Sequence, residues 1–504
     1  MTMKRPIGQR LVRAWREIQG KRSSDYKGAD MTRLLLDWVA KALTPDEEIK
    51  GSIRKLRARA RELSRNEGYG KQYLRLLTTN VIGPQGFDMR AQVMKSENLD
   101  TVTNSAIELA WWHWSTGKVT VDGRLTLRRL QKVLLRAVAR DGEVFVRRWR
   151  SFEGNPFGYA LQAIDADMLD ETYNRARGYG RNEIRMGVEV DNLGRPVGYH
   201  FFKVPENRVM DVGDAGRTFV PADQILHLYD PDRPNQTRGV TWFHPIMVPM
   251  KMLGGYEEAE LVAARTAAAK MGFILSADGS SDPDSDQPAE MEASPGVLER
   301  LDAGETFAPW DPQHPSTAFS IFVKSILRKI SSGLGVSYNA LANDLEGVSY
   351  SSMRSGLLIE RDHWKDLQED WVEDFLKPVF EDWLNMALLT GALVLDSMDA
   401  RRYAADVVWK PRRWQWVDPQ KDVAATENAI ALGLTSRTKA CAESGDDFDE
   451  NLLNLEREME AARKKGVPIQ GKPTAAPPQP SPADLEDDAE SEDDGQRTLL
   501  AGRF

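Results

Sequence analysis

Three aspartates in the stretch Ile164-Asp165-Ala166-Asp167-Met168-Leu169-Asp170 have the residue type and crowding that a hard cation favours, since its oxygen ligands must converge on one ion. On that reading Asp165, Asp167 and Asp170 would serve a metal-dependent nuclease. A strand end entering an aspartate-rich turn explains the same letters more simply. Asp282, Asp284 and Asp286 open like a calcium loop, but Gln287 stands where the turn needs glycine and Ala293 where the bidentate glutamate belongs. None of the six histidines (His113, His200, His227, His244, His314, His363) sits four residues from another, so the helical zinc pair is absent. Gly117-Lys118 is followed by Val119 and lacks a glycine five positions earlier, so it is no phosphate-binding loop, and no Gly-x-Ser-x-Gly elbow occurs. Fourteen tryptophans could stack bases. Those at Trp364, Trp371 and Trp383 fit a buried helical stripe instead. The expectation is a protein that is not an enzyme, with no metal and no cofactor.

The elements around these residues read as α+β, predominantly helical. Ile53, Leu56, Ala60 and Leu63 make one apolar helix stripe, and Arg54, Arg57, Arg61 and Arg65 read as a solvated face beside it. The helix through Lys71–Val81 should stop at Gly83-Pro84, and those over 104–118 and 124–141 at Gly117 and Asp141-Gly142. Period-two runs at 143–149, 159–165, 187–204 and 224–230 read as strands, with Asp191-Asn192-Leu193-Gly194 as a hairpin turn. A long helix follows over 241–270, where six alanines within 259–269 allow a neighbouring helix close. Further helices are expected at 318–333 and 351–389, the second bent or broken at Pro378, with short ones over 423–464.

Charge is segregated along the chain. Residues 1–150 hold 31 Lys+Arg against 16 Asp+Glu, so the remaining residues carry −24 of a total of −9. That balance excludes a protein coating nucleic acid over its whole surface. A single cysteine, Cys441, excludes an intrachain disulfide and a cysteine-rich zinc site. No apolar run reaches the ~18 residues of a membrane span, and the basic N-terminus has no apolar stretch behind it, so no membrane partner is expected.

The runs RLLTTNVIGPQGFDMRAQV, ARDGEVFVR, LQAIDADMLD, GVEVDNLGRPVGYHFF, ILHLYDPDRPNQTRGVTWFHPIM, YEEAELVAARTAAAKMGFIL, PGVLERLDAGETFAPWDPQHPSTAF, GLGVSYNALANDLEGVSYSSMRSGLLIERDHW and RRWQWVDPQKDVAATENAIALGLTSR, in that order, resemble the lambda-type bacteriophage portal family over roughly residues 70–465. One departure is Ser349, where the family pattern leads us to expect Asn before Tyr350-Ser351-Ser352.

The resemblance implies a head-tail connector subunit of a tailed phage, forming a ring, typically of twelve, at one capsid vertex. Double-stranded DNA would pass through the ring during packaging and ejection. It further implies a portal fold with an α/β wing, a helical stem, a clip and a helical crown. The expected division is a basic arm at 1–30, the wing at 31–235 and a stem helix at 236–272. The clip and an exposed acidic loop follow at 273–317, stem or channel helices with a returning wing segment at 318–422, the crown at 423–466 and a disordered acidic tail at 467–504. Expected partners are other copies of the chain, the DNA, the terminase large subunit, major capsid and scaffold proteins, and head-completion or adaptor proteins. The expected location is the virion, after assembly in the host cytoplasm. A channel must not grip phosphates, so a few weak basic guides are expected on the long helices: Lys251, Arg265, Lys270, Lys324 and Arg328. Ala259, Ala263 and Ala267 are the candidate subunit contacts.

Overall fold

A computed structural model describes residues 41–203, 216–268, 272–276, 305–309, 319–346, 348–414, 419–444, 446 and 448–466. The expected arm, the acidic tail, most of the clip and Lys270 lie outside the described residues. The chain divides into two compact units, Met1–Arg412 and Arg413–Phe504.

The first unit begins with helices α1 (Pro45–Lys50), α2 (Ile53–Asn66) and α3 (Gly68–Val81). Thr44 and Glu47 form a capping box on α1, each satisfying a backbone donor that the first helical turn leaves open. Strand β1 (Asp88–Ala91), the short pair β2 (Met94–Lys95) and β3 (Asn98–Leu99), α4 (Thr101–Thr116) and α5 (Leu127–Asp141) follow. Helix α5 ends where expected, because Gly142 takes φ 92° and a Cβ there would lie 2.6 Å from the Val240 carbonyl carbon.

Strands β4 (Glu143–Arg150), β5 (Tyr159–Ile164) and β10 (Ile225–Tyr229) form an antiparallel sheet in the order β10-β4-β5. A second sheet runs β6 (Glu183–Arg185), β7 (Val188–Val190), β8 (Pro196–Phe202) and β9 (Arg217–Pro221) in sequence order. The hairpin between β7 and β8 forms at the expected residues: the Asp191 carboxylate accepts from the Leu193 and Arg195 amides at 2.7 and 2.8 Å, and Gly194 takes φ 81°. Phe145, Leu169, Val188, Tyr199, Phe201, Val220 and Ile225 form a shared apolar core for the two sheets.

Helix α6 (Met247–Ala268) starts six residues later than the periodicity suggests. Strands β11 (Gly272–Ser276) and β12 (Glu305–Pro309) pair antiparallel. Then come α7 (Phe319–Leu334), α8 (Tyr338–Ala342) and α9 (Tyr350–Trp371), a π-helical turn at Val372–Leu376, and α10 (Lys377–Leu389). The break expected at Pro378 is this π turn. Proline lacks the N–H that would bond back one turn, and the widened turn accommodates the loss while the helix continues. Of the apolar stripe Trp364, Leu367, Trp371, Phe375, Val379, Trp383 and Ala387, Leu367 is half-buried and the rest are buried. Trp383 and Phe380 meet Trp111 of α4 at ring-centroid distances of 5.0 and 5.2 Å. Ser349, the departure from the expected pattern, caps α9: its hydroxyl accepts from the Ser352 amide at 3.3 Å, as an asparagine would. Helix α11 (Ala400–Ala405) leads to β13 (Val407–Lys410), which returns to pair antiparallel with β1.

The second unit holds α12 (Pro419–Ala431), α13 (Arg437–Ser444) and α14 (Phe448–Lys465), matching the short helices expected there.

Candidate functional site

The aspartate cluster does not converge. Asp165 accepts from the Asp167 amide at 2.9 Å, capping a short 3-10 turn. Asp167 takes Arg57 Nη1 at 2.7 Å and also pairs with Arg61, whose Nη2 reaches Asp165 at 2.8 Å. Asp170 turns elsewhere, to Thr172 and to Arg217 Nε at 2.5 Å. Carboxylates already neutralised by guanidinium groups have no charge to offer a cation, and among the described residues no group of three His, Cys, Asp or Glu is placed to hold one. The nuclease reading thereby loses its residues.

The same contacts correct half of the arginine face of α2, whose Arg54 and Arg65 are exposed as expected. Arg57 is fully buried, not solvated, and Arg61 is largely covered. Arg57 Nη2 donates to Glu143 Oε1 at 2.9 Å, and Glu143, itself fully buried on β4, also accepts from Arg238 Nη2 at 2.5 Å and from the Gly239 amide at 3.1 Å. His227 on β10 lies 3.0 Å from the other carboxylate oxygen, and Arg238 donates to the Met186 carbonyl at 2.6 Å. Burial works to raise the Glu143 carboxyl, but the Arg238 charge and the His227 and Arg238 hydrogen bonds hold it well below the usual carboxylate range. Burial pushes the His227 imidazole down despite its glutamate partner. Neutral His227 then donates from Nε2. This hub ties α2, β4, β10 and the 236–241 segment together, and it is an architectural junction. Its signal was in the letters, because Arg57 lies four after Ile53 and three before Ala60, inside the apolar stripe.

The basic candidates on the long helices have separate surroundings. Lys251 on α6 sits 3.4 Å from Glu62 of α2. Lys324 on α7 lies 2.9 Å from Glu346 and 3.3 Å from Asp344. The Tyr338 hydroxyl donates to Asp344 at 2.7 Å and, with the Glu346 amide and Lys324, holds that carboxyl down at about 2. Arg328 lies over the Tyr338 ring at 5.5 Å. Arg265 is exposed on α6, fourteen residues or about 21 Å beyond Lys251. The structure thus brings Lys324 and Arg328 together around Tyr338 and Asp344, whereas Lys251 and Arg265 stand far apart along α6. Ala259 is exposed, Ala263 is half-buried, and Ala267 lies in the last turn of α6.

What the long helices share is exposed apolar surface that sequence periodicity did not single out. Val248, Met252, Leu261 and Val262 on α6, Ile321 and Phe322 on α7, and Leu358 and Ile359 on α9 all face solvent in the single chain, Ile321 and Ile359 at 73% and 72% exposure. Tyr256 of α6 meets Phe319 and Phe322 at 5.5 and 5.2 Å, so α6 and α7 present part of this surface together.

The fold is a mainly helical α+β body, with two sheets and long helices that expose apolar side chains. The family model described as phage portal protein, lambda family, matches residues 31–368. The probable portal protein of Halomonas phage phiHAP-1 is 35% identical over 456 residues, covering 88% of each chain. The portal protein B of Escherichia phage lambda is 23% identical, covering 86% of this chain and 88% of its own. Among solved structures, a chain in the neck of a native gene transfer agent particle computed with C12 symmetry has a TM-score of 0.40 at 12% identity, covering 77% of this chain and 93% of that one. The chain belongs to the lambda family of phage portal proteins. It is a portal protein, a component of the head-tail connector, and its family is a structural one.

Proposed function

We propose that copies of this chain close into a ring of twelve at one capsid vertex, through which double-stranded DNA is packaged and ejected. The observation that carries this is the exposed apolar surface of α6, α7 and α9 in a single chain, which a neighbouring copy would cover. Each Å² of apolar surface so removed from water contributes about 25 cal/mol. Cyclic closure repeats one interface between two different patches, and Ala259, Ala263 and Ala267 would let the next copy's helix approach α6. On this reading residues 31–235 form the wing, α6 and α7 the stem, β11 and β12 the base of a clip that receives the terminase large subunit, and α12 to α14 the crown. Capsid, scaffold and head-completion proteins would meet the outer surfaces of the ring in the virion, after assembly in the host cytoplasm.

Lys251, Arg265, Lys270, Lys324 and Arg328 remain the proposed weak guides for DNA. The acids beside Lys251 and Lys324 suit that role, since a half-neutralised lysine attracts phosphate without retaining it. The motor would supply the energy, and the portal itself would hydrolyse no ATP.

Negative-stain imaging of the purified chain tests the ring: closed rings with a central hole are expected, and single particles without a hole at assembly concentrations refute it. Alanine at all five guide positions should alter DNA content or retention in filled heads. Unchanged content and retention sink that assignment.

A further inference from the structure

Two surface stripes of opposite sign are left uncompensated within one chain. Helix α5 carries Arg128, Arg129, Lys132, Arg136 and Arg140, Arg124 lies just before it, and no acid falls between Gly123 and Arg140. Arg124 and Arg140 have Asp122 and Asp141 beside them, at 3.9 and 2.6 Å. Arg128, Arg129, Lys132 and Arg136 make no ion pair among the described residues. An ordinary solvated helix face mixes signs; this one does not. Arg128, Lys132 and Arg136 recur every four residues and so climb one face at about 6 Å per step. Partial burial, then the charges of Arg128 and Arg136, lower the Lys132 ammonium, and no carboxylate offsets them.

The second stripe runs along the end of α9 into the π turn. Asp366, Asp370 and Asp374 also recur every four residues, with Glu369 and Glu373 beside them, and all five are exposed. Glu373 has Lys377 at 3.6 Å, and Asp366, Asp370 and Asp374 make no ion pair among the described residues. Partial burial and then the facing carboxylates of Asp366, Asp230, Glu373 and Glu369 raise Asp370, and Asp374 is raised in the same way by Asp370, Glu373 and Asp230. The two helices touch where Trp371 Nε1 donates to Gln131 Oε1 at 3.2 Å, yet no ion pair joins the two stripes within one chain.

We infer that the Arg128–Lys132–Arg136 stripe of one copy docks on the Asp366–Asp370–Asp374 stripe of the next copy. The inference rests on the ring reading above and gives its interface a register. The two stripes have opposite sign and the same four-residue step, and guanidinium forks pair with carboxylates in two-bond geometry. A head-to-tail ring is the arrangement in which two different patches of one chain must meet. A DNA duplex would satisfy the basic stripe but leave the acidic one unpaired; a second copy satisfies both. The basic stripe also exposes only Val133 as a large apolar side chain on α5, so charge and not an apolar anchor sets this contact.

Charge exchange in the full-length chain tests this. One variant combines Arg128→Glu, Lys132→Glu and Arg136→Glu; another combines Asp366→Lys, Asp370→Lys and Asp374→Lys; a third carries all six. Circular dichroism checks that each folds, and mass photometry with negative stain reads the fraction in rings. Each triple variant should lose ring by about tenfold or more, because like charges then face each other. Each triple variant repels itself, but an equimolar mixture of the two should form closed rings again, since copies that alternate around an even-numbered ring pair opposite charges at every contact; a mixture that stays without rings overturns the inference. The six-fold variant should recover rings, and raised salt should dissociate the wild-type ring. Rings unaffected by either triple change overturn the inference while leaving the ring itself standing. A basic-stripe variant that keeps its rings but loses retardation of a DNA duplex in a gel overturns it in favour of nucleic acid. A wild-type chain that forms no ring at all refutes the ring reading and this contact with it.

Discussion

Replacing Glu143 by Gln should be among the most damaging single changes in the wing. The carboxylate is fully buried and faces Arg57 at 2.9 Å and Arg238 at 2.5 Å, both of them buried as well. A glutamine keeps the shape and one acceptor oxygen, but it removes the charge that compensates two guanidinium groups. Asp167 would still neutralise Arg57, whereas Arg238 would keep only neutral partners such as the Met186 carbonyl at 2.6 Å. Breaking a buried pair from one side costs about 3–5 kcal/mol, because the remaining charge stays out of water without a counterion. Asp165→Asn is the matched control: its half-exposed carboxylate pairs with Arg61, which keeps Asp141 and Asp167, and the change should cost less than about 1 kcal/mol. Urea unfolding of both variants, followed by tryptophan fluorescence, measures the difference. A Glu143→Gln chain within about 1 kcal/mol of wild type would refute the claim that this hub holds the wing together.

The remaining predictions concern the same architecture. His227 has its folded value pushed below the ordinary 6.5, so the unfolded chain takes up a proton first as pH falls. Stability should therefore drop below about pH 6.5, by at most about 1.4 kcal/mol per unit, and His227→Gln should flatten that slope in urea titrations at pH 7.5 and 5.5. Gly142→Ala should destabilise by well over about 1 kcal/mol, since φ is 92° and the new methyl meets the Val240 and Thr241 backbone; thermal unfolding reads it. Ser349→Ala should cost about 1 kcal/mol locally and Ser349→Asn almost nothing, seen as faster or unchanged amide exchange in the first turn of α9.

Much of the fold is legible along the chain because local rules act there. Gly142 ends α5, Asp191 and Gly194 make the hairpin, and the four-three spacing from Trp364 to Ala387 states that this face is buried. The family too is legible, through nine runs in fixed order. The aspartate-rich turn after β5 forms as its letters suggest, whereas Arg57 reads along the chain as solvated although its partner Asp167 lies 110 residues away.

The chain's own letters thus determined the helices, the strands, their stops and the charge split between the first 150 residues and the rest, because each depends on neighbours within a few turns. The tertiary structure alone decided which charges are spent and which are left over. Arg57 and Arg61 of the basic front are consumed by Glu143, Asp141, Asp165 and Asp167, while Arg128, Lys132 and Arg136 have no counterion among the described residues. Compensation depends on distances of a few Å between segments far apart in the chain, and a one-dimensional charge count does not contain them.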